Sequence, residues 1–320
     1  MSESELLRSQ PSDPRVESGW EALLERVLPS AGPPGTPLAL HVLGGVDAGK
    51  TTLCRWLGEE LAGRGHKVAL VDCDPGQGSV GPPTMVGLAW ARSTGAVPSA
   101  LRFVGDVSPT GHFLQLTVGI GALARQARKR GAEAVIFDSS GFMDTEAGRE
   151  YHTLLVEATV AGQHGSDDTF RGHLVALQKG DELRSVLRAF DGRADVEVHR
   201  LDVSSAVGPR SREERRRSRA ARLRRHFAEA GTVSLSLAGR GVQGRVPSLA
   251  PGRELEGLLV ALLDQEGSAV GPFILLEVEE HEDERILHLR GPAFDPAGIT
   301  SIQFGTLRIQ FEGLRSDERE

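Results

Sequence analysis

The chain has 320 residues, enough for a large α/β domain with a smaller second one. Its formal net charge of -7 argues against a protein that coats nucleic acid wholesale, although an average can hide local basic patches. Asparagine is absent, which removes any N-glycosylation acceptor, and no apolar run approaches the roughly 20 residues of a membrane span.

Residues 1–36 are expected to form a leader without an apolar h-region. Within SGWEALLERVLPS, Trp20, Leu23, Leu24 and Val27 recur at helical spacing behind Ser18 as a cap, and AGPPGTP breaks any helix after it. This helix is expected to pack on the main domain, with partner binding as the alternative. The two cysteines, Cys54 and Cys73, fall inside an apparent helix and strand, which suits a reduced, cytoplasmic, soluble protein.

From residue 37 to 231 apolar strands alternate with helices. LALHVLG, KVALVDCD, AEAVIFDSSG, HLVALQKGDEL and EVHRLDV read as strands. GKTTLCRWLGEELAGRG, FLQLTVGIGALARQARKRG and EYHTLLVEATVAG read as helices, and PGQGSVGPPTM as a loop. The alternation predicts a doubly wound, mostly parallel sheet with helices on both faces. From 232 to 320 short strands separated by turn residues predict a small β-rich module. It carries 15 acidic residues against 8 arginines and is a poor candidate for gripping a phosphate backbone.

The strongest chemical signal is Gly44-Gly45-Val46-Asp47-Ala48-Gly49-Lys50-Thr51, followed by Thr52, which satisfies G-x-x-x-x-G-K-[ST] between an apolar strand and a helix. Such a loop turns its backbone N–H groups onto phosphate oxygens at a helix N-terminus, and bulk at Gly44 or Gly49 would obstruct the approach. Lys50 is expected to reach the β- and γ-phosphates and Thr51 to ligate Mg²⁺. At the end of the second strand stands Val71-Asp72-Cys73-Asp74-Pro75-Gly76-Gln77. Ligands of open α/β sheets lie beyond the carboxyl ends of the strands, so Asp74 can ligate Mg²⁺ or accept a proton, while Asp72 can instead cap a turn. Asp138, closing the apolar run Ala134–Phe137, competes for the same metal, and the sequence leaves open which carboxylate dominates.

Two further segments bear on chemistry. Arg210 to Arg225 contains nine arginines and reads as a loop entering a helix capped by Ser211. It is either a solvated helix or a lid, at 205–227, that delivers guanidinium groups to a transferring phosphoryl group, and in both cases it could touch a nucleic-acid backbone. Gln178-Lys179-Gly180-Asp181 stands where GTPases carry [NT]-K-x-D, with Gln in place of the usual first residue.

Taken in order, GGVDAGKTT, VDCDPGQGSV, FVGDVSPTGH, DSSGF, LVALQKGDEL, RSREERRRSRAARLRRHF and FGTLRI give a chain that resembles the polynucleotide 5′-hydroxyl kinases. These are P-loop enzymes of pre-mRNA 3′-end, tRNA and ribosomal RNA processing. The resemblance implies that Asp74 activates the 5′-hydroxyl beside Mg²⁺, that Lys50 and Thr51 bind phosphate and metal, and that Arg210 and Arg215 contact the phosphates during transfer. It further implies that Gln77, Ser108 and Thr110 hold the acceptor's terminal nucleotide, with Phe142 where the family usually has a base-stacking tryptophan. The family's N-T-x-G-W segment is here Asp138-Ser139-Ser140-Gly141-Phe142, which keeps a π-face but adds a charge near the phosphates. The implied cosubstrate is ATP, or GTP, with Mg²⁺, and the implied acceptor is a 5′-hydroxyl end of RNA before DNA. The rival from another class is a regulatory GTPase or ATPase that switches a protein partner, supported by QKGD and by the D-x-D strand. A third is a scaffold with an idle nucleotide site, against which the intact Lys50, Thr51, Asp74, Arg210 and Arg215 set argues.

Overall fold

Helix α1 (Ser18–Val27) precedes β1 (Leu38–Gly44), every residue of which is buried. Helix α2 (Lys50–Gly63) and strand β2 (Val68–Asp72) follow, then a hairpin of β3 (Met85–Arg92) and β4 (Gly95–Phe103). Next come α3 (Phe113–Lys129), β5 (Ala134–Asp138), and α4 (Glu146–Val156), which runs into a π-helical turn at Glu157–Ala161. Strand β6 (Gly172–Gln178), the short α5 (Arg184–Leu187) and β7 (Val196–Asp202) complete the first sheet. Helix α6 (Arg212–His226) leads to a second sheet of β8 (Gly231–Ser236), β9 (Gly241–Gly244), β10 (Leu258–Leu263), β11 (Ala269–Glu280), β12 (Arg285–Gly291) and β13 (Ser301–Arg308). This computed structural model describes residues 18–28, 37–161, 172–203, 208, 210–249, 255–280 and 284–309. The Ser18 side chain, residues 1–17, most of the AGPPGTP linker and the chain end after 309 lie outside the described residues.

The chain divides into two units, one of Met1–Asp74, Gly87–Ser99 and Leu116–Pro209, the other of Pro75–Val86, Ala100–Gln115 and Arg210–Glu320. The sheet of the first runs β4-β3-β2-β5-β1-β6-β7. Strands β2, β5, β1, β6 and β7 are parallel, and β3 pairs antiparallel with β2. The chain leaves β1 with β5 and β2 on one side and β6 and β7 on the other, so the turn after β1 sits at the topological switch point where such sheets bind ligands. The sequence pattern predicts no element over 86–99. The hairpin found there carries a glycine at φ 124 (Gly95) and a proline inside an edge strand (Pro98), which blur the strand pattern. HLVALQKGDEL ends as a strand at Gln178, because the Glu182 carboxylate takes the Lys179 and Gly180 N–H groups at 2.8 and 2.9 Å.

One core of the first unit packs Leu23, Leu24 and Val27 of α1 and Leu53, Leu57 and Leu61 of α2 against Leu40, Val42, Ile136 and Val175 of the sheet. The second sheet runs β8-β12-β11-β10-β13-β9 and is antiparallel except where β13 meets β9. Its two faces bury separate clusters, one around Val260, Phe273 and Leu287, the other joining Leu223 and Phe227 of α6 to Leu259 and Ile274. No helix among the described residues is long and apolar enough to cross a membrane.

Candidate functional site

The loop from Gly44 to Lys50 closes by backbone conformations that few residues adopt. Asp47 and Gly49 are left-handed at φ 54 and φ 90, which turns successive amides toward one concavity. At Gly44 a Cβ would stand 2.9 Å from the Leu177 carbonyl, so only glycine lets the loop lie on the end of β6. Gly49 is the N-cap of α2 and offers no side chain to its first-turn amides, which leaves them for an anion. The Lys50 ammonium donates to the Gly44 and Gly45 carbonyls at 2.9 and 2.7 Å. Burial lowers the Lys50 pKa, and the carboxylates of Asp138, Asp74 and Asp47 pull it back up.

Two adjacent strands deliver carboxylates to the same edge. Asp138 ends β5 in register with Val42 of β1 and Asp72 of β2. Burial raises its pKa, against the pull of the Thr51 hydroxyl and the Lys50 charge, and Asp74 adds to the rise. Its Oδ1 is buried with no hydrogen-bond partner. An orphaned carboxylate oxygen beside a P-loop threonine is a place for a hard divalent cation, which takes oxygen ligands. Thr51 and Asp138 therefore fit Mg²⁺. Asp72 is buried and its Oδ1 accepts the Asp74 N–H at 3.1 Å, so it shapes the turn that presents the half-buried Asp74. Lys50, Thr51, Asp74 and Asp138 are thus brought together within the first unit.

The same unit places Phe142. A Cβ on Gly141 would fall 2.8 Å from the Val46 Cα, so the DSSG turn lies directly on the P-loop. Phe142 follows half-buried, and its carbonyl fills the space that a Cβ on Gly148, at the start of α4, would need. Thr145 caps that helix by accepting the Gly148 N–H at 3.0 Å. Beneath the turn Ser140 meets His152 Nε2 at 3.3 Å, and His41 stacks on Phe137. Burial pushes the His41 pKa down to about 3 and lowers that of His152, so both imidazoles are neutral at physiological pH. Ser140 and Gly141 belong to the DSSGF segment, whereas Gly148 and His152 carry no motif of their own in the sequence. A glycine shortly before the N-cap region of a helix is the one available signal.

The other expected residues belong to the second unit. Ser211 and Glu214 form a reciprocal capping box at the start of α6, as the expected Ser211 cap required. Arg215 donates to the Arg210 carbonyl, which folds the residue before Ser211 onto the first turn of α6. Gln77 Nε2 donates to the Gly76 and Arg215 carbonyls at 3.1 and 3.4 Å, and Arg222 donates to the Gly81 carbonyl. The loop after Asp74 is therefore laid along the arginine helix. It is closed by a bond from Thr84 N–H to the Pro75 carbonyl, with Thr84 itself strained at φ 76.

Ser108 and Thr110 stand on a loop that the C-terminal strand holds. Asp106 Oδ1 accepts the Ser108 N–H at 2.9 Å and Ser108 Oγ the Thr110 N–H at 3.2 Å. The Thr306 hydroxyl of β13 donates to Asp106 Oδ2 at 2.8 Å and lies 3.1 Å from His112 Nε2. Arg245 donates to the Gly111 carbonyl at 2.8 Å. A Cβ on Gly305 would come within 2.7 Å of the Gly105 carbonyl, so FVGDVSPTGH and FGTLRI meet backbone to backbone. Asp106, His112, Arg245 and Thr306 carry this arrangement, and no spacing rule links positions some 200 residues apart. At the QKGD segment, Asp181 is exposed and paired with Arg184 at 3.5 Å.

Residues 44–229 match the profile of the mRNA cleavage and polyadenylation factor CLP1 P-loop. A polyribonucleotide 5′-hydroxyl-kinase of Pyrococcus furiosus is 28% identical over 87% of this chain and 89% of its own length. One of Thermococcus kodakarensis is 28% identical over 88% and 92%. Among solved structures, the wild-type Clp1p–Pcf11p (454–563) complex matches with a TM-score of 0.62 at 13% identity, covering 90% of this chain and 77% of that one.

Proposed function

Because the chain belongs to the CLP1 P-loop family, we propose that it is a Mg²⁺-dependent polynucleotide 5′-hydroxyl kinase that transfers the γ-phosphate of ATP or GTP to the 5′-hydroxyl end of RNA. The observation that carries this is breadth: polyribonucleotide 5′-hydroxyl-kinases align with nearly nine-tenths of the chain and with about nine-tenths of their own length. A P-loop alone would not distinguish a kinase from a switch.

The acceptor's 5′-oxygen forms a bond to the γ-phosphorus as the bond to the β–γ bridging oxygen breaks, and the hydroxyl proton passes to Asp74. Lys50 and the first-turn amides of α2 hold the phosphates. Thr51 and Asp138 would hold Mg²⁺, which when bound neutralises charge on the phosphate oxygens. Arg210 and Arg215 stabilise the charge spread over the transferring group. Gln77, Ser108 and Thr110 hold the terminal nucleotide, and Phe142 offers a face for its base. Such transfer asks little covalent chemistry of the protein, so positioning and charge dominate. The buried free thiols Cys54 and Cys73 accord with a cytoplasmic setting.

The test is transfer of labelled γ-phosphate from ATP or GTP to 5′-hydroxyl RNA and DNA oligonucleotides. Lys50→Ala should depress transfer on the order of 10³-fold. Slow hydrolysis without transfer to any acceptor would overturn the kinase and point to a nucleotide switch.

A further inference from the structure

Away from the phosphate cradle, three metal-ligating side chains converge on the far edge of the first sheet. His173 lies on β6, and Glu197 and His199 on the edge strand β7. His173 pairs in register with Leu40, while Leu177 pairs with Gly44 at the P-loop, so the cluster sits about 13 Å down the strands from the phosphate cradle. His173 Nδ1 and His199 Nε2 are 2.8 Å apart. Glu197 Oε2 lies 3.9 Å from the first nitrogen and Oε1 3.8 Å from the second. Both imidazoles are buried, and the carboxylate opens to solvent.

We propose that His173, His199 and Glu197 bind a Zn²⁺ ion that clamps β7 to β6, independently of the kinase reaction. A tetrahedral ion with bonds of about 2.1 Å separates its ligand atoms by about 3.4 Å. The three observed separations bracket that value, and small rotations of the side chains would equalise them. Two imidazoles and one carboxylate suit a borderline ion such as Zn²⁺ and offer too few oxygens for Mg²⁺. Water would fill the fourth position on the open side. The ion has a resident competitor in Arg26 of α1, whose guanidinium stands 3.6 Å from Glu197. Arg26 is itself mostly exposed and can swing into solvent, so metal binding exchanges one cation on Glu197 for another.

The full chain, stripped with chelator and kept in excess Mg²⁺ to fill oxygen sites, should bind one equivalent of Co²⁺ with the intense visible absorption of a tetrahedral site. Zn²⁺ should displace it and raise the unfolding midpoint. His173→Gln and His199→Gln should abolish the absorption. Because both positions are buried, two surface variants complete the test: Glu197→Gln should weaken Co²⁺ binding about tenfold or more, and Arg26→Gln should tighten it. No tetrahedral absorption, or absorption that survives both histidine changes and is lost in Asp138→Asn, would overturn the proposal and leave a hydrogen-bonded histidine pair only.

Discussion

The phosphate cradle of the first unit and the loop 105–112 of the second are built in opposite ways. The cradle is nearly continuous in sequence: Gly44 to Thr51 supplies the turn, the amides, the lysine and the hydroxyl, and strand ends add Asp74 and Asp138. The 105–112 loop takes its shape from residues some 200 positions away, through Thr306, Gln303 and Gly305. A local device can bind nucleotide by itself, whereas a loop stitched to the last strand depends on the whole second sheet. The C-terminal sheet thereby holds the 105–112 loop in shape. Nucleotide binding and acceptor binding should therefore be separable by mutation.

The largest separation is expected at Asp74. Asp74→Ala should depress transfer about 10³-fold while nucleotide binding, measured by calorimetry, changes little. Equal loss of both would make Asp74 a nucleotide-binding group rather than the base and break the division. Arg210→Ala and Arg215→Ala come next. Each should lower kcat about 10²-fold with the acceptor KM nearly constant, since an interaction made only in the transition state leaves ground-state binding alone. A raised KM with kcat intact would make the arginine helix a backbone-binding surface instead.

The same division decides what could be foreseen from sequence. The P-loop, the strand ending in Asp138, the Ser211 cap and the doubly wound sheet follow from spacing and periodicity, which act between near neighbours. The β3–β4 hairpin does not, because its glycine and proline positions imitate a loop. Asp72 is ambiguous for a physical reason: a carboxylate at a strand end can bind metal or fold onto its own backbone, and the bond from the Asp74 N–H shows the latter. The contact of Gly105 with Gly305 lies beyond reach, since each glycine alone is compatible with any turn. The histidine pair on β6 and β7 is likewise hidden, because alternation along a strand gives no register between two strands.

A smaller effect isolates the stitched loop. Thr306→Val removes the hydroxyl between Asp106 and His112 with little change in volume. A hydrogen bond to a charged group contributes about 1.5–3 kcal/mol, and about 1.4 kcal/mol corresponds to tenfold in affinity. Allowing for partial relaxation, the acceptor KM should rise roughly tenfold while the nucleotide KM stays put, and Thr306→Ser should restore it. Parallel rises in both constants would tie the loop to the cradle.

The smallest effect tests the cradle from the side of stability. Burial raises the Asp138 pKa, so the folded chain holds that proton more tightly than the unfolded chain does. The resulting stability is complete below the ordinary carboxylate value of 3.8 and is lost as pH rises through the raised one. Asp138→Asn stays neutral in both states and escapes that loss. In metal-free buffer the two melting midpoints should converge in acid, and at neutral pH the variant should melt at the higher temperature. Addition of Mg²⁺ with ATP should reverse the order, because a ligand that binds only the folded wild type stabilises it by mass action and the variant has lost a metal ligand. A variant less stable than wild type at every pH would mean that Asp138 serves packing, and the cation would then have to be held without it.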